Sequence, residues 1–174
     1  MGKLEQAKTY GDVGGGEIPQ IPGQEGDEKL SYLVFRLAGE TFAIEVEKAR
    51  EVIRAQKLSW IPGSHETVRG VINLRGNIIA VLELALLLGL PAAEELDKDS
   101  RIIIVESEGM VVGMLVDSVD EVALVDPREI SKTMRTLDSR QRNIVVSQTT
   151  VRDRIVGMLD IDQVVSDARE QQGQ

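Results

Sequence analysis

The chain has one histidine, His65, in the loop Pro62-Gly63-Ser64-His65-Glu66, and no cysteine. General acid–base catalysis needs a base, a reacting nucleophile and a group that orients the base, and an isolated histidine in a Pro/Gly loop brings neither companion. Without thiolates or a second imidazole, only carboxylates could hold a metal. The pairs Asp117/Asp120 and Asp160/Asp162 lack the glycine-centred spacing of a calcium loop and read as solvated loop carboxylates. Gly14-Gly15-Gly16 lacks the Lys-Ser/Thr that completes a phosphate loop. No catalytic residue, metal or cofactor is expected. Trp60-Ile61-Pro62 reads equally as a binding anchor or as a wedge sealing the base of a barrel.

The most informative segment is Arg69-Gly70-Val71-Ile72-Asn73-Leu74-Arg75-Gly76, within an apolar hairpin from Val68 to Leu82. Gly70 marks a bulge or a close backbone approach. Gly76 supplies a turn where positive φ is cheap. Arg75, at a strand end beside Asn73, is either a solvated turn residue or a guanidinium fork offered to a partner's carboxylate.

The elements that must position these residues are short and β-rich. Tyr32 to Leu37, Thr41 to Ile44, Ala49 to Ile53, Val68 to Leu74 and Ile78 to Leu82 read as strands. Leu84, Leu87 and Leu88 follow helical spacing before the stop signals Gly89 and Pro91. Ile102 to Val105, Met110 to Val116, Val119 to Val125, Val145 to Val151 and Ile155 to Leu159 repeat the pattern. Asp126-Pro127-Arg128-Glu129 reads as a capped helical turn, and Ile161, Val164, Val165 and Ala168 mark one face of a terminal helix capped by Asp160.

The two halves align at two offsets. Shifted by 70, Val46, Glu51 and Val52 fall on Val116, Glu121 and Val122. Shifted by 77, Arg75, Ile78 and Leu82 fall on Arg152, Ile155 and Leu159. Such recurrence indicates an internal duplication. Five short strands per half leave exposed edges unless the sheet closes, so two small antiparallel barrels with an apolar interface are expected. The boundaries are residues 30–98 for the first barrel, 100–160 for the second and 161–171 for the terminal helix. Residues 1–29 hold Gly14-Gly15-Gly16, Pro19 and Pro22 with almost no apolar periodicity, and are expected to form a disordered tail.

Composition narrows the function. Of 174 residues, 29 are acidic and 20 basic, a net charge of −9, with aromatics at 3%. Phosphate backbones repel such a surface and base stacking lacks platforms, so nucleic-acid binding is disfavoured. The start, Met1-Gly2-Lys3-Leu4-Glu5, lacks the order of a signal peptide. The nearly apolar run Ile78 to Leu90 holds Glu83 and is too short to span a bilayer. A cytoplasmic protein without membrane insertion is expected.

Arg69-Gly70-Val71-Ile72-Asn73-Leu74-Arg75-Gly76 closely resembles the [RK]-G-x-x-N-L-R-G signature of the CheW family, the couplers of bacterial chemosensory arrays. Tyr32 to Glu51 is similar to that family's opening hairpin and K-x-x-E segment, and Val112 to Val119 to its V-G-x-x-V-D-x-V segment. The similarity runs from about Leu30 to Ala168. It implies two SH3-like five-stranded barrels and a non-catalytic adaptor that bridges the cytoplasmic tips of chemoreceptors to the regulatory domain of a CheA-type histidine kinase. Carried over by position, Arg75, Asn73, Leu74 and Gly76 lie at the receptor groove with Glu51 and Ala49, Gly70 and Gly76 are structural turn positions, and kinase contact falls mainly to the second barrel. The chain departs from the common V-I-P-V-I-D-L-R stretch, reading Ile78-Ile79-Ala80-Val81-Leu82-Glu83-Leu84-Ala85. The alternatives are a coupler of a non-flagellar (pilus motility or other) pathway and, from a different class, a small-ligand-binding β-barrel.

Overall fold

The computed structural model describes residues 8–9, 16–17, 28–132, 139 and 141–173. In chain order the elements are β1 (Lys8–Thr9), β2 (Gly16–Glu17), β3 (Leu30–Leu37), β4 (Glu40–Glu45), β5 (Ala49–Arg54), β6 (Val68–Leu74), β7 (Asn77–Glu83), α1 (Leu84–Leu87), β8 (Arg101–Ser107), β9 (Met110–Val116), β10 (Ser118–Val125), α2 (Gln141–Ile144), β11 (Val145–Val151), β12 (Arg154–Leu159) and α3 (Ile161–Gln172). One-turn 3-10 helices occupy Val46–Lys48 and Pro127–Glu129, the latter capped by the Asp126 carboxylate. Asp160 caps α3 by accepting from the Asp162 and Gln163 amides. Of the expected disordered tail, Lys8–Thr9 and Gly16–Glu17 are strands, Glu28 and Lys29 are also described, and the other residues lie outside the described ones.

The strands form two sheets, in the orders β1-β10-β3-β4-β12-β11 and β2-β5-β8-β9-β7-β6. Setting aside the two-residue β1 and β2, each is a five-stranded SH3-like barrel, here called barrel A (β3, β4, β10, β11, β12) and barrel B (β5 to β9). The expected division at residues 98–100 is therefore corrected: each barrel takes strands from both halves of the chain. Local hairpin signals are satisfied either way, and the halves exchange because hairpins from different halves meet side by side. β12 runs parallel to β4, with Gly157 opposite Phe42, and β7 runs parallel to β9, with Val81 opposite Gly113. The other body-strand pairings are antiparallel.

The duplication extends to the turns. Four two-residue hairpin loops have positive φ at both positions: Ala38 (50°) and Gly39 (78°), Arg75 (50°) and Gly76 (87°), Glu108 (50°) and Gly109 (77°), Arg152 (48°) and Asp153 (63°). This is the type I′ pattern, whose twist matches that of paired strands. The first and third loops are related by the offset of 70, the second and fourth by the offset of 77.

Strand alternation divides the burial. On β3, Leu33, Phe35 and Leu37 face the region between the barrels, while Tyr32 and Val34 fill barrel A. On β8, Ile103 and Val105 face the shared core, while Ile102 and Ile104 fill barrel B with Ile53, Ile72, Ile79 and Leu115. The two-sided burial explains why these strands read as continuous apolar runs. Leu84, Leu87 and Leu88, and the Ile161, Val164, Val165 and Ala168 face of α3, join the shared core, the largest apolar cluster. Both barrel interiors are occupied by side chains, which leaves little room for the enclosed small ligand of the different-class reading.

Candidate functional site

Each barrel has a seam where its first and last body strands meet. In barrel B, one end of the seam is closed by a backbone bridge: Ser59 N–H donates to Val71 O (3.0 Å) and Val71 N–H to Ser59 O (2.8 Å). Gly70 permits it. Its φ is 155°, the β6–β7 register shifts between Val68 and Gly70, and a Cβ there would lie 2.7 Å from Ser59 O. The bulge and the close approach read for Gly70 describe the same feature, and because it lies inside β6 the expected turn position at Gly70 is corrected to a strand bulge.

The other end of the seam is closed by side chains. A register shift between Ala49 and Glu51 places a bulge at Arg50, a device that re-aims the following side chain. Glu51 then meets Arg75, which projects from the β6–β7 turn, with Nη2 2.5 Å from Oε2. The Glu51 side chain is only 9% exposed and that of Arg75 73%. A nearly buried carboxylate thus tethers one nitrogen of a guanidinium that otherwise faces solvent. The turn itself is fixed by the Gly76 N–H, which donates to Asn73 Oδ1 at 2.9 Å. The Arg75–Glu51 pair and the Asn73–Gly76 bond thus sit at adjacent positions of one turn, the second fixing the backbone from which Arg75 projects. Ala49 and Leu74 flank it and are half-buried, Ala49 against the shared core and Leu74 against the barrel B interior. Ile78, opposite Asn73 in the register, is 67% exposed and puts an apolar surface beside the arginine.

A second such group stands in barrel A, and the sequence held its residues without joining them. Glu121 follows a bulge on β10, and Arg152 projects from the β11–β12 turn to place Nε 3.1 Å from the Glu121 carboxylate. Their side chains are 10% and 55% exposed. Ser131 and Gln148 bridge this seam as Ser59 and Val71 bridge the other. The signal was available: the offset of 70 carries Glu51 onto Glu121, and the offset of 77 carries Arg75 onto Arg152.

Trp60 is 71% exposed, so it does not wedge the base of the barrel. Near it, an apolar groove of about 400 Å³ runs between Ile61 and Pro62, the Ala80–Leu82 stretch, Val112 and the Val165–Ala168 face of α3.

The residues considered for chemistry serve the fold. His65 Nδ1 accepts from the Thr67 amide at 3.3 Å and lies 3.0 Å from its hydroxyl. The Asp117 carboxylate accepts from the Ala38 amide, and Asp120 pairs with Arg36. Asp162 accepts from the Ser107 hydroxyl at 2.6 Å and from Lys48 Nζ at 3.1 Å, contacts that hold its carboxyl below the usual range, the hydroxyl contributing most. Burial raises the Glu83 carboxyl, against the opposing pull of Arg69 3.3 Å away. Among the described residues, no three His, Cys, Asp or Glu side chains group as metal ligands, and no helix is long and apolar enough to cross a membrane.

Two exchanged barrels packed over a shared core, with an arginine held out on a rigid turn and exposed apolar side chains nearby, define a scaffold of the paired SH3-like type. A model of the CheW-like domain matches residues 31–169, and the chain belongs to the CheW family. It is similar to the chemotaxis protein CheW of Helicobacter pylori, 27% identical over 142 residues covering 82% of this chain and 85% of that protein. It is also similar to the protein PilI of Pseudomonas aeruginosa, 30% identical over 96 residues covering 55% and 53%. Among solved structures it resembles the scaffolding protein TtCheW of Thermoanaerobacter tengcongensis, with a TM-score of 0.69 and 32% identity over 76% of this chain and 89% of that one.

Proposed function

We propose that this chain is a non-catalytic coupler that joins the cytoplasmic tip of a chemoreceptor to the regulatory domain of a CheA-type histidine kinase. In this reading it works in the cytoplasm and is recruited to membrane-associated receptor arrays. The observation that carries the proposal is the Glu51–Arg75 group, in a chain of the CheW family. Glu51 fixes one guanidinium nitrogen, so the exposed remainder is preorganised to accept a carboxylate of a helical receptor tip at little entropic cost. Ile78 and Leu74 supply apolar contact at its side. A second face receives the kinase, and Trp60 has the size and exposure of an anchor for such a contact. A conformational change in the receptor then reaches the kinase through differential contacts with the coupler.

The partial match to PilI favours a second reading, in which the same coupling serves a non-flagellar pathway such as pilus motility. The two differ in the cognate receptor and kinase rather than in the site. The test is a ternary co-sedimentation using receptor-containing membranes and the kinase regulatory domain from the same cell. The chain should bring the regulatory domain down with the membranes, and each pathway's own pair identifies which reading holds.

A further inference from the structure

Three arginines and two carboxylates meet at the mouth of barrel A, the end of its seam where Arg152 reaches Glu121. Asp120, at the β10 bulge, accepts from Arg36 Nε at 2.9 Å, and Arg154 Nη1 lies 3.6 Å from the same oxygen. Arg152 Nε lies 3.1 Å from the Glu121 carboxylate. The carboxylates sit deeper than the arginines: the Asp120 side chain is 24% exposed and that of Glu121 10%, whereas all three arginine side chains are about half exposed. What the group turns to solvent is therefore cationic. It borders a notch of about 130 Å³ floored by Val34, Val151 and Val156 of the barrel A interior.

The duplication sets this mouth against its counterpart. The offset of 70 carries Arg36 onto Glu106, Arg50 onto Asp120 and Glu51 onto Glu121. The Arg50–Glu106 pair of barrel B thus recurs in barrel A with its charges reversed. The offset of 77 carries Arg75 onto Arg152, but Asn77 onto Arg154. Barrel B sets two arginines against two carboxylates; barrel A sets three against two. Arg154 carries the surplus charge.

We propose that the mouth of barrel A is a docking site for an acidic segment of a protein partner, taking one carboxylate side chain into the notch, with Arg154 as the residue that distinguishes it from the barrel B seam. An aspartate or glutamate suits the site on three counts. The notch admits the end of a single side chain, the valines pack its methylenes, and guanidinium forks bind carboxylates bidentately. A surplus of one positive charge balances one carboxylate and leaves a phosphate dianion undercompensated. A nucleic acid would bring a run of phosphates against a chain of net charge −9. The site lies in the other barrel from Arg75 and does not depend on the receptor reading above.

The test uses the full-length chain and a labelled glutamate-rich peptide, followed by fluorescence anisotropy at low ionic strength, where exposed charges are least screened. Arg154→Asn, which installs the barrel B residue, should weaken binding by roughly three- to tenfold, the loss of one exposed charge-assisted contact. The same peptide carrying a nitroxide should broaden the wild-type amide signals of Asp120, Glu121 and Arg152 to Ile155 before those of Asn73 to Ile78. This second readout needs no variant to fold. Equal binding by the wild type and Arg154→Asn overturns the proposal, as does broadening centred on Asn73 to Ile78 or a wild type that does not bind the peptide. Duplex DNA or anionic-lipid vesicles that bind as tightly as the peptide, with the same response to Arg154→Asn, would make the mouth a general polyanion contact and overturn the carboxylate assignment.

Discussion

Replacing Arg75 by glutamate separates the two roles that the Glu51–Arg75 group combines, closing a seam and presenting a cation. With the arginine side chain 73% exposed, the ion pair itself is screened and contributes no more than about 1 kcal/mol. The greater cost falls on Glu51: its side chain is 9% exposed, and stripping its partner leaves a carboxylate with little water to replace the bond, at about 1–3 kcal/mol. The new glutamate adds repulsion that an exposed side chain largely escapes by turning to solvent. The expected loss is about 2–3 kcal/mol, a fall in Tm of roughly 4–12 °C for a domain of this size. Arg152→Glu should cost a similar amount, since Glu121 is 10% exposed and its arginine 55%. The exchange of charges, Glu51→Arg with Arg75→Glu, should recover about half of the lost stability through pairwise coupling. Thermal unfolding by circular dichroism measures these differences. Sedimentation with receptor-containing membranes measures recognition, and there the variants should diverge. Arg75→Glu and the charge exchange should both lose binding, because the cation no longer stands on the turn, whereas Arg152→Glu should retain it. If Arg152→Glu loses as much binding as Arg75→Glu, or if the charge exchange restores it, binding follows stability and the presented cation has no separate role.

Two further outcomes follow from the same geometry. The Asp162 carboxyl is held below its ordinary range in the folded chain by the Ser107 hydroxyl and by Lys48, so its contribution is present above about pH 3.9, the unfolded value, and is lost as pH falls through the lower folded value. Asp162→Asn should therefore be less stable by about 0.5–1 kcal/mol at pH 7, discounted for its half-exposed carboxylate, and should converge with the wild type as pH falls through that lowered folded value; a urea-midpoint difference that is constant with pH contradicts this. Trp60→Ala should leave stability within about 0.5 kcal/mol of the wild type while weakening association with the receptor or the kinase domain about tenfold or more; unchanged binding to both partners makes Trp60 an ordinary solvated side chain.

Much of the architecture was legible because it is local. Alternation and turn residues located the body strands, Asp160 and Asp126 announced their caps, and the offsets of 70 and 77 reported the duplication that the four type I′ turns and two bulge-aimed glutamates display. The exchange of strands was not legible, since hairpins carry no local mark of which other hairpin they lie against. Gly76 gave itself away by turn chemistry, whereas the Asn73 side chain that fixes the turn was placed at the site only by the resemblance. The Glu51–Arg75 contact spans 24 residues, and only the resemblance placed the two together. The pairing of Lys8–Thr9 and Gly16–Glu17 was missed because a glycine-rich segment that adds only backbone to an edge has no apolar period to read.

Coupling itself is tested most directly by the ternary co-sedimentation. Receptor-containing membranes and the kinase regulatory domain are mixed with the wild-type chain, with Arg75→Glu, or with neither. The wild type should carry the regulatory domain into the membrane pellet, and Arg75→Glu should leave it in the supernatant while still binding it in solution. Recovery of the regulatory domain in the pellet at the same level with Arg75→Glu, or without any coupler, would contradict coupling through the presented arginine.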